Sequence, residues 1–151
     1  MLARKISEHT GAKIIAFDIL WVDEDKKQPV PEGVEGWKYI RKVGQSEVEK
    51  ALRENYSVVY DDNNPKFEHR EELREVAKNS NAESVVIYLN TPIEVIKSRE
   101  YANRETGARH DVSPANFQKV LEQFEPPSRE ENVLEFNPDT ELKEFLRLLN
   151  Q

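Results

Sequence analysis

The chain has 151 residues, of which 34% are charged, and its formal net charge of −7 argues against a broad nucleic-acid-binding face but leaves room for a local basic pocket. It contains no cysteine, which excludes disulfides, thiolate catalysis and cysteine-based zinc sites, and its histidines, His9, His69 and His110, lack metal-ligand spacing. We expect one domain with one core. Without a signal-peptide pattern or an apolar run of membrane-spanning length, we also expect a cytoplasmic protein.

The first elements are a short helix and an apolar strand. Leu2 and Ile6 lie one helical turn apart and Gly11 follows, which predicts a helix that ends just before this glycine. The apolar run at 13–17 then predicts a buried parallel strand that ends at Asp18. Asp18 is therefore a candidate site residue at the carboxyl end of a strand, although a helix cap or a turn residue fits the same pattern.

The next stretch combines an irregular connection with a helical pattern. Residues 19–36 are rich in charges, proline and glycine, which predicts a surface connection anchored by Trp21 and Trp37. From residue 37 to about 56 the apolar side chains have roughly helical spacing. This pattern predicts one long helix, or two short helices if Gly44 interrupts it.

Two carboxylates follow the second apolar strand. Residues 57–60 predict a strand that ends at Asp61 and Asp62, and Asn63 begins a turn that leads into a helix over about 66–79. Because ligands bind at the carboxyl ends of strands in open α/β sheets, both acids are candidates to hold a metal or to orient a substrate hydroxyl. Turn formation and helix capping account for the same residues.

The second half of the chain begins with its most apolar run, residues 84–89, which predicts a central strand. Pro92 then starts a helix that extends to about residue 104 and buries Ile93 and Ile96. From the second half of this helix to about residue 110 the chain is basic and polar, a composition that fits a solvated surface loop. The arginines of this region are Arg99, Arg104 and Arg109.

Two further helices and a last strand complete the pattern. One helix starts at Pro114 and stops before the two prolines that follow Glu125, a strand covers 132–136, and Asp139 is expected to cap the terminal helix. The alternation of strands and helices predicts an α/β fold with a doubly wound parallel sheet and right-handed crossovers.

Several of these segments resemble the P-loop ATP-binding kinases related to polynucleotide 5′-kinases, zeta toxins and chloramphenicol phosphotransferases. Residues 2–18 are similar to the segment that follows the Walker A Gly-Lys-Ser/Thr, and 58–63 resemble the strand that ends in Asp-x-Asn. Residues 87–92 are similar to the fourth strand, with an arginine-bearing lid after it, and 124–127 match a Phe-Glu-x-Pro stop. The likeness spans nearly the whole chain outside 19–56.

This resemblance implies an ATP- and Mg²⁺-dependent phosphotransferase that acts on a hydroxyl of a nucleic-acid end or of a small molecule, with a lid over 94–112. Asp18 would be the general base, and Asp62 stands where relatives carry a small residue. Arg70 would contact the acceptor or pair with glutamates of its own helix. The implied catalytic residues are Asp18, Arg99 and Arg104, the substrate-binding residues are Asp61, Asn63, Arg70 and Arg109, and the metal ligands are Asp61 and Asp62.

The sequence departs from these kinases at the phosphate-binding loop. The 151 residues contain no G-x-x-x-x-G-K-[ST] motif, which forms the phosphate-binding loop. The resemblance places this loop and the strand before it just ahead of Leu2. The implied sheet order is 2-3-1-4-5 with strand 1 missing. We therefore expect an amino-terminally truncated domain over 1–151 that binds ATP poorly and is inactive as written. The alternative is a non-enzymatic, degenerate kinase-fold module with a binding or regulatory role.

Overall fold

Helices and strands alternate along the chain as the sequence predicts. The computed structural model describes residues 2–22, 33, 35–107 and 112–149. The elements are α1 (Leu2–Thr10), β1 (Lys13–Ala16), α2 (Phe17–Val22), α3 (Gly36–Arg53), β2 (Val58–Asp61), α4 (Phe67–Asn79), β3 (Val86–Leu89), α5 (Ile93–Thr106), α6 (Pro114–Gln123), a 3₁₀ helix (Arg129–Glu131), β4 (Val133–Phe136) and α7 (Leu142–Leu148).

The described strands form two parallel pairs. In one pair β1 runs beside β2, with Lys13 opposite Val58 and Ala16 opposite Asp61. In the other pair β3 runs beside β4. In the expected order 2-3-1-4-5, strand 1 is the missing one, so β1 to β4 correspond to strands 2 to 5. The two observed pairs are the neighbours 2-3 and 4-5 of that order. The parallel α/β class is confirmed, and the predicted central strand β3 pairs with β4 alone among the described residues.

The chain groups into two compact units. Unit 1 contains the described residues up to 64, together with 68–84 and 146–149, and it carries β1 and β2. Unit 2 contains 65–67 and the described part of 85–145, and it carries β3 and β4. The expectation of one domain over the whole chain stays a prediction.

Unit 1 is built on the β1–β2 pair. Helices α1 and α3 both contact the two strands, and α2 packs on α3 and β1. The apolar periodicity of the helices explains this arrangement, because their inner positions become the core. The buried apolar side chains of this unit are Ile6, Ala12, Leu20, Ile40, Val48, Ala51 and Ala77.

Aromatic contacts hold unit 2 together. Phe145 is only 2% exposed and meets Phe136 of β4 edge to face, with ring centroids 5.0 Å apart. Tyr88 of β3 stacks on Phe124, with centroids 6.0 Å apart. Such pairs add about 0.5–1.5 kcal/mol each beyond the apolar area that they bury. The short strands of this unit therefore depend on a few large rings for their packing.

Some expectations for individual elements are wrong. The connection predicted to be irregular begins with a helix, α2, and Trp21 is 44% exposed rather than an anchor. Ile93 is also exposed, at 39%. The terminal helix begins at Leu142, three residues after Asp139, whose own N–H donates to Asn137 Oδ1. Residues 23–32 and 34 lie outside the described part of the chain.

Gly44 lies inside one continuous helix, so it does not divide α3. A Cβ at this position would lie 2.8 Å from Tyr60 Oη and 3.3 Å from Leu20 Cδ1. Side-chain atoms essentially never approach a Cβ to 2.8 Å. The glycine therefore allows α3 to lie against the tyrosine of β2, which explains why a residue of low helix propensity occupies a helix interior.

Among the residues that the structure describes, no helix has both the length and the apolar character needed to cross a bilayer.

We expect Gly44→Ala to lower the free energy of unfolding by roughly 1–3 kcal/mol, because the added methyl group forces Tyr60 to move. Alanine favours a helix by about 1 kcal/mol over glycine, so the packing effect has to exceed this gain. Urea unfolding followed by circular dichroism measures the change. Ser46→Ala, at an exposed position of the same helix, should stay within about 0.5 kcal/mol of the wild type. A Gly44→Ala protein more stable than the wild type would contradict this packing.

Candidate functional site in unit 1

Asp18 follows the first strand directly. Strand β1 ends at Ala16, and α2 begins at Phe17, so Asp18 lies in the first turn of a helix that leaves the carboxyl end of the strand. An acidic side chain is favourable there, because the unpaired N–H groups of a helix start carry partial positive charge. The Asp18 side chain is exposed. It is therefore accessible to a ligand, and its position at the end of a strand is the predicted one.

Asp61 ends the second strand beside the end of the first. It is paired in register with Ala16, two residues before Asp18. Partial burial raises the pKa of the Asp61 carboxyl above its usual value, and the negative charge of Asp18 raises it further. The structure thus brings together two of the carboxylates that the sequence singled out.

Asp62 belongs to the same group of acids. Burial is the largest cause of its raised pKa, and the charges of Asp18 and Asp61 act in the same direction. The Asn63 backbone N–H, which donates to Asp62 Oδ1 at 2.8 Å, and the Arg41 guanidinium oppose that rise. The Asn63 side chain is exposed beside these acids. Three carboxyl groups therefore interact electrostatically at the end of the β1–β2 pair.

Arg70 holds the turn that follows these acids. Its side chain is 6% exposed, and its guanidinium donates to the backbone carbonyl of Asn64 at 3.1 Å. Asn64 has a φ of +36°, a backbone conformation that asparagine tolerates better than most residues. The sequence suggested that Arg70 contacts the acceptor or pairs with glutamates of its own helix, and neither interpretation included this bond to the backbone. The binding of Arg70 to an acceptor stays a prediction.

A polar network that sequence reasoning missed joins α3 to α4. Arg41 of α3 bonds to Glu72 of α4 at 2.5 Å, and Gln45 Nε2 donates to the same carboxylate oxygen at 2.6 Å. Arg41 and Glu72 also act electrostatically on Tyr60, whose pKa burial raises. Arg41 and Gln45 are one helical turn apart, but this spacing is common in helices and does not predict that both side chains bind Glu72.

The predicted lid arginines belong to unit 2. Arg99 and Arg104 lie on α5, where Arg99 is exposed and Arg104 forms an ion pair with Glu100 one turn earlier. Arg109 lies outside the described residues. The catalytic roles of these arginines, and the lid over 94–112, stay predictions.

Glu125 has a structural role that its sequence context did not reveal. Its carboxylate accepts a hydrogen bond from the backbone N–H of Phe67 at 2.6 Å, and its own N–H donates to the carbonyl of Pro65 at 2.7 Å. Phe67 is the first residue of α4, so the carboxylate satisfies a helix N–H that has no partner within the helix. The Phe-Glu-x-Pro segment is therefore a clamp, here named the Glu125 clamp, on the chain just after the acidic turn.

Asp61 and Asp62 are carboxylates that could contribute to a magnesium site. Mg²⁺ is usually held by one or two carboxylates, with waters and substrate phosphates completing its coordination, and Asp61 and Asp62 supply such carboxylates. In the described part of the chain, no three His, Cys, Asp or Glu side chains form a group that could hold a metal by themselves. The two acids therefore suit a metal that arrives with a phosphate compound.

Comparison with known families identifies the fold. The family AAA_33, described as an AAA domain, matches residues 2–127, and the chain belongs to this family. The matched part includes Asp18, Asp61, Arg104 and the Glu125 clamp. The predicted resemblance to P-loop kinases is confirmed at the level of family and fold. No curated protein matches the sequence.

Solved structures with the same fold include nucleotide complexes. The chain is similar to Kti12 from Chaetomium thermophilum in complex with ADP-AlF3, with a TM-score of 0.78 and 17% identity over 98% of this chain and 89% of that chain. It is similar to a gluconokinase from Sinorhizobium meliloti 1021, with a TM-score of 0.63 and 22% identity over 97% and 79%. APS kinase from Mycobacterium tuberculosis, in complex with AMPPNP and APS, gives a TM-score of 0.63 and 14% identity over 99% and 86%.

We expect Glu125→Ala to lower the free energy of unfolding by about 0.5–2 kcal/mol, as loss of a helix cap does, and to speed hydrogen exchange at the Phe67 amide. Glu125→Gln keeps an acceptor oxygen and should retain most of the protection. Native-state hydrogen exchange by NMR measures both. Glu130→Ala, at an exposed glutamate of unit 2, serves as the control. Equal exchange at Phe67 in Glu125→Ala and in the wild type would show that the clamp does not exist in solution.

Proposed function

We propose that this chain is the acceptor-binding part of an ATP-dependent phosphotransferase that acts on a hydroxyl group. The observation that carries the proposal is the interaction of Asp18 with Asp61 at the carboxyl ends of adjacent parallel strands, in a chain of P-loop kinase fold. Two solved structures with this fold, Kti12 and APS kinase, contain the nucleotides ADP-AlF3 and AMPPNP, respectively. The fold alone does not select an acceptor, so the proposal depends on these acids.

The reaction needs a base for the attacking hydroxyl. Asp18 accepts its proton while the hydroxyl oxygen forms a bond to the γ-phosphorus, and the bond to the oxygen that bridges the β- and γ-phosphates breaks so that ADP leaves. Asp18 is exposed and can reach a hydroxyl that comes from solvent. Asp61 and Asn63 would orient that acceptor beside the base, and Arg70 would keep their turn in place.

The transferred phosphoryl group also needs positive charge. Arg99 and Arg104 are the described candidates, since guanidinium groups bind phosphate oxygens in a fork geometry, and Arg109 is a third candidate by sequence. Asp61 and Asp62 would hold Mg²⁺, which neutralises phosphate charge when it is bound. The nucleotide phosphates of P-loop kinases are held by a G-x-x-x-x-G-K-[ST] loop, a motif that the 151 residues do not contain.

The test uses a chain in which a strand and a G-x-x-x-x-G-K-[ST] loop precede Leu2, taken from the upstream coding sequence or grafted from a kinase. In that protein, Asp18→Asn should lower turnover by about 10²–10⁴-fold, the usual contribution of a general base. Transfer of labelled phosphate from ATP to candidate hydroxyl compounds measures turnover.

Asp139→Asn makes the same chemical change at an exposed position and should leave turnover unchanged. Near-normal turnover in Asp18→Asn would remove Asp18 from the role of base. A folded protein with the loop that transfers no phosphate would instead support the alternative, a non-enzymatic binding module.

A further inference from the structure

An exposed aromatic pair lies beside the proposed base. Phe17 and Trp21 stack on α2, with ring centroids 6.1 Å apart and planes 21° apart. Phe17 thus lies beside the indole, and Trp21 remains 44% exposed. A tryptophan that is held by a neighbouring ring and is still accessible offers a rigid surface at low entropic cost.

This pair lies next to Asp18 on the same helix. Asp18 and Trp21 are three positions apart on α2, a spacing that makes side chains neighbours on a helix surface. Both side chains are exposed. A flat ring stacked on Trp21 would therefore carry its substituents close to the Asp18 carboxylate.

The negative charge of Asp18 disfavours an anionic group beside it. An acceptor stacked on Trp21 would lie close to the Asp18 carboxylate, three positions away on the same helix. A negative charge on the acceptor would therefore meet a like charge. A neutral hydroxyl compound would instead donate a hydrogen bond to this carboxylate.

The second tryptophan has different surroundings. Trp37 is 38% exposed, but Lys38 Nζ lies 5.2 Å from its ring centroid and the Arg41 guanidinium carbon lies 5.8 Å from it. These cations already interact with the ring of Trp37. Trp21 is therefore the better candidate for stacking, and Trp37 is a suitable control.

We propose that Trp21 is a specificity-determining residue that stacks on the ring of an uncharged, hydroxyl-bearing acceptor and so presents the acceptor hydroxyl to Asp18. The inference deepens the proposed function and rests on it for the role of Asp18. A nucleobase offers a planar aromatic face and a sugar ring offers a face of C–H groups, and both can lie against an indole, so the shared chemistry is a neutral ring compound with a free hydroxyl group.

Binding to the 151-residue chain without nucleotide tests this proposal. Two pairs of probes differ in charge: adenosine against adenosine 3′-monophosphate, and methyl β-glucoside against methyl β-glucuronide. Saturation-transfer NMR and titration of tryptophan fluorescence measure affinity. We expect one uncharged probe to bind at least tenfold more tightly than its charged counterpart. If adenosine is that probe, the acceptor is a nucleoside; if methyl β-glucoside is that probe, the acceptor is a sugar.

The variants assign that binding to Trp21. Trp21→Ala should weaken it by about tenfold or more, the scale of one lost stacking contact, and Trp21→Phe should recover part of it. Trp37→Phe should bind as the wild type does. Unchanged binding in Trp21→Ala, tighter binding of a charged probe, or no binding of either uncharged probe would overturn the proposal. Circular dichroism confirms that each variant is folded.

The two proposals fail in different ways. Trp21-dependent binding of a neutral probe that never becomes phosphorylated by the loop-bearing chain would contradict the proposed function alone. Phosphorylation of an anionic acceptor with the same KM in wild type and Trp21→Ala would contradict this inference alone.

Discussion

The parallel register of β1 and β2 is the constraint on which the candidate site depends. Because Ala16 lies opposite Asp61, both strands end at the same level, and the acids that follow or end them are brought together. A shift by one residue would turn Asp61 to the other face of the sheet. The register is supported at Tyr60, since Gly44 lets α3 lie against this ring and Ile15 of β1 lies opposite Tyr60. Packing in unit 1 thus determines the electrostatics of the site.

The acids are held at some cost to stability. Burial raises the pKa values of Asp61 and Asp62, so their charged forms are less favourable in the folded chain than in water. The structure compensates locally: Arg41 attracts Asp62, and Arg70 binds the turn at the Asn64 carbonyl. Acids with raised pKa values at the carboxyl ends of strands are candidates for functional roles, which supports the proposed place of Asp61 in the site.

Much of the fold could be predicted from the sequence, because hydrophobic periodicity and strand length determine the elements and the α/β class. Helix α2 escaped prediction, since six residues are too few for a periodic signal, and Gly44 suggested a break because its contact with Tyr60 is tertiary. Of the site, Asp18 and Asp61 were predictable from their places at strand ends. The Arg41–Glu72 bond and the Glu125 clamp were not, since each joins residues far apart in the sequence.

The register of β1 and β2 brings Asp18 beside Asp61, and an NMR titration of Asp61 tests this arrangement. Side-chain carboxyl ¹³C resonances give the pKa of Asp61 in the wild type, in Asp18→Asn and in the control Asp139→Asn. We expect the Asp61 pKa to fall in Asp18→Asn, because a repelling charge is removed, yet to remain above its ordinary value because burial persists. An Asp61 pKa that is equal in all three proteins would show that Asp18 and Asp61 do not interact.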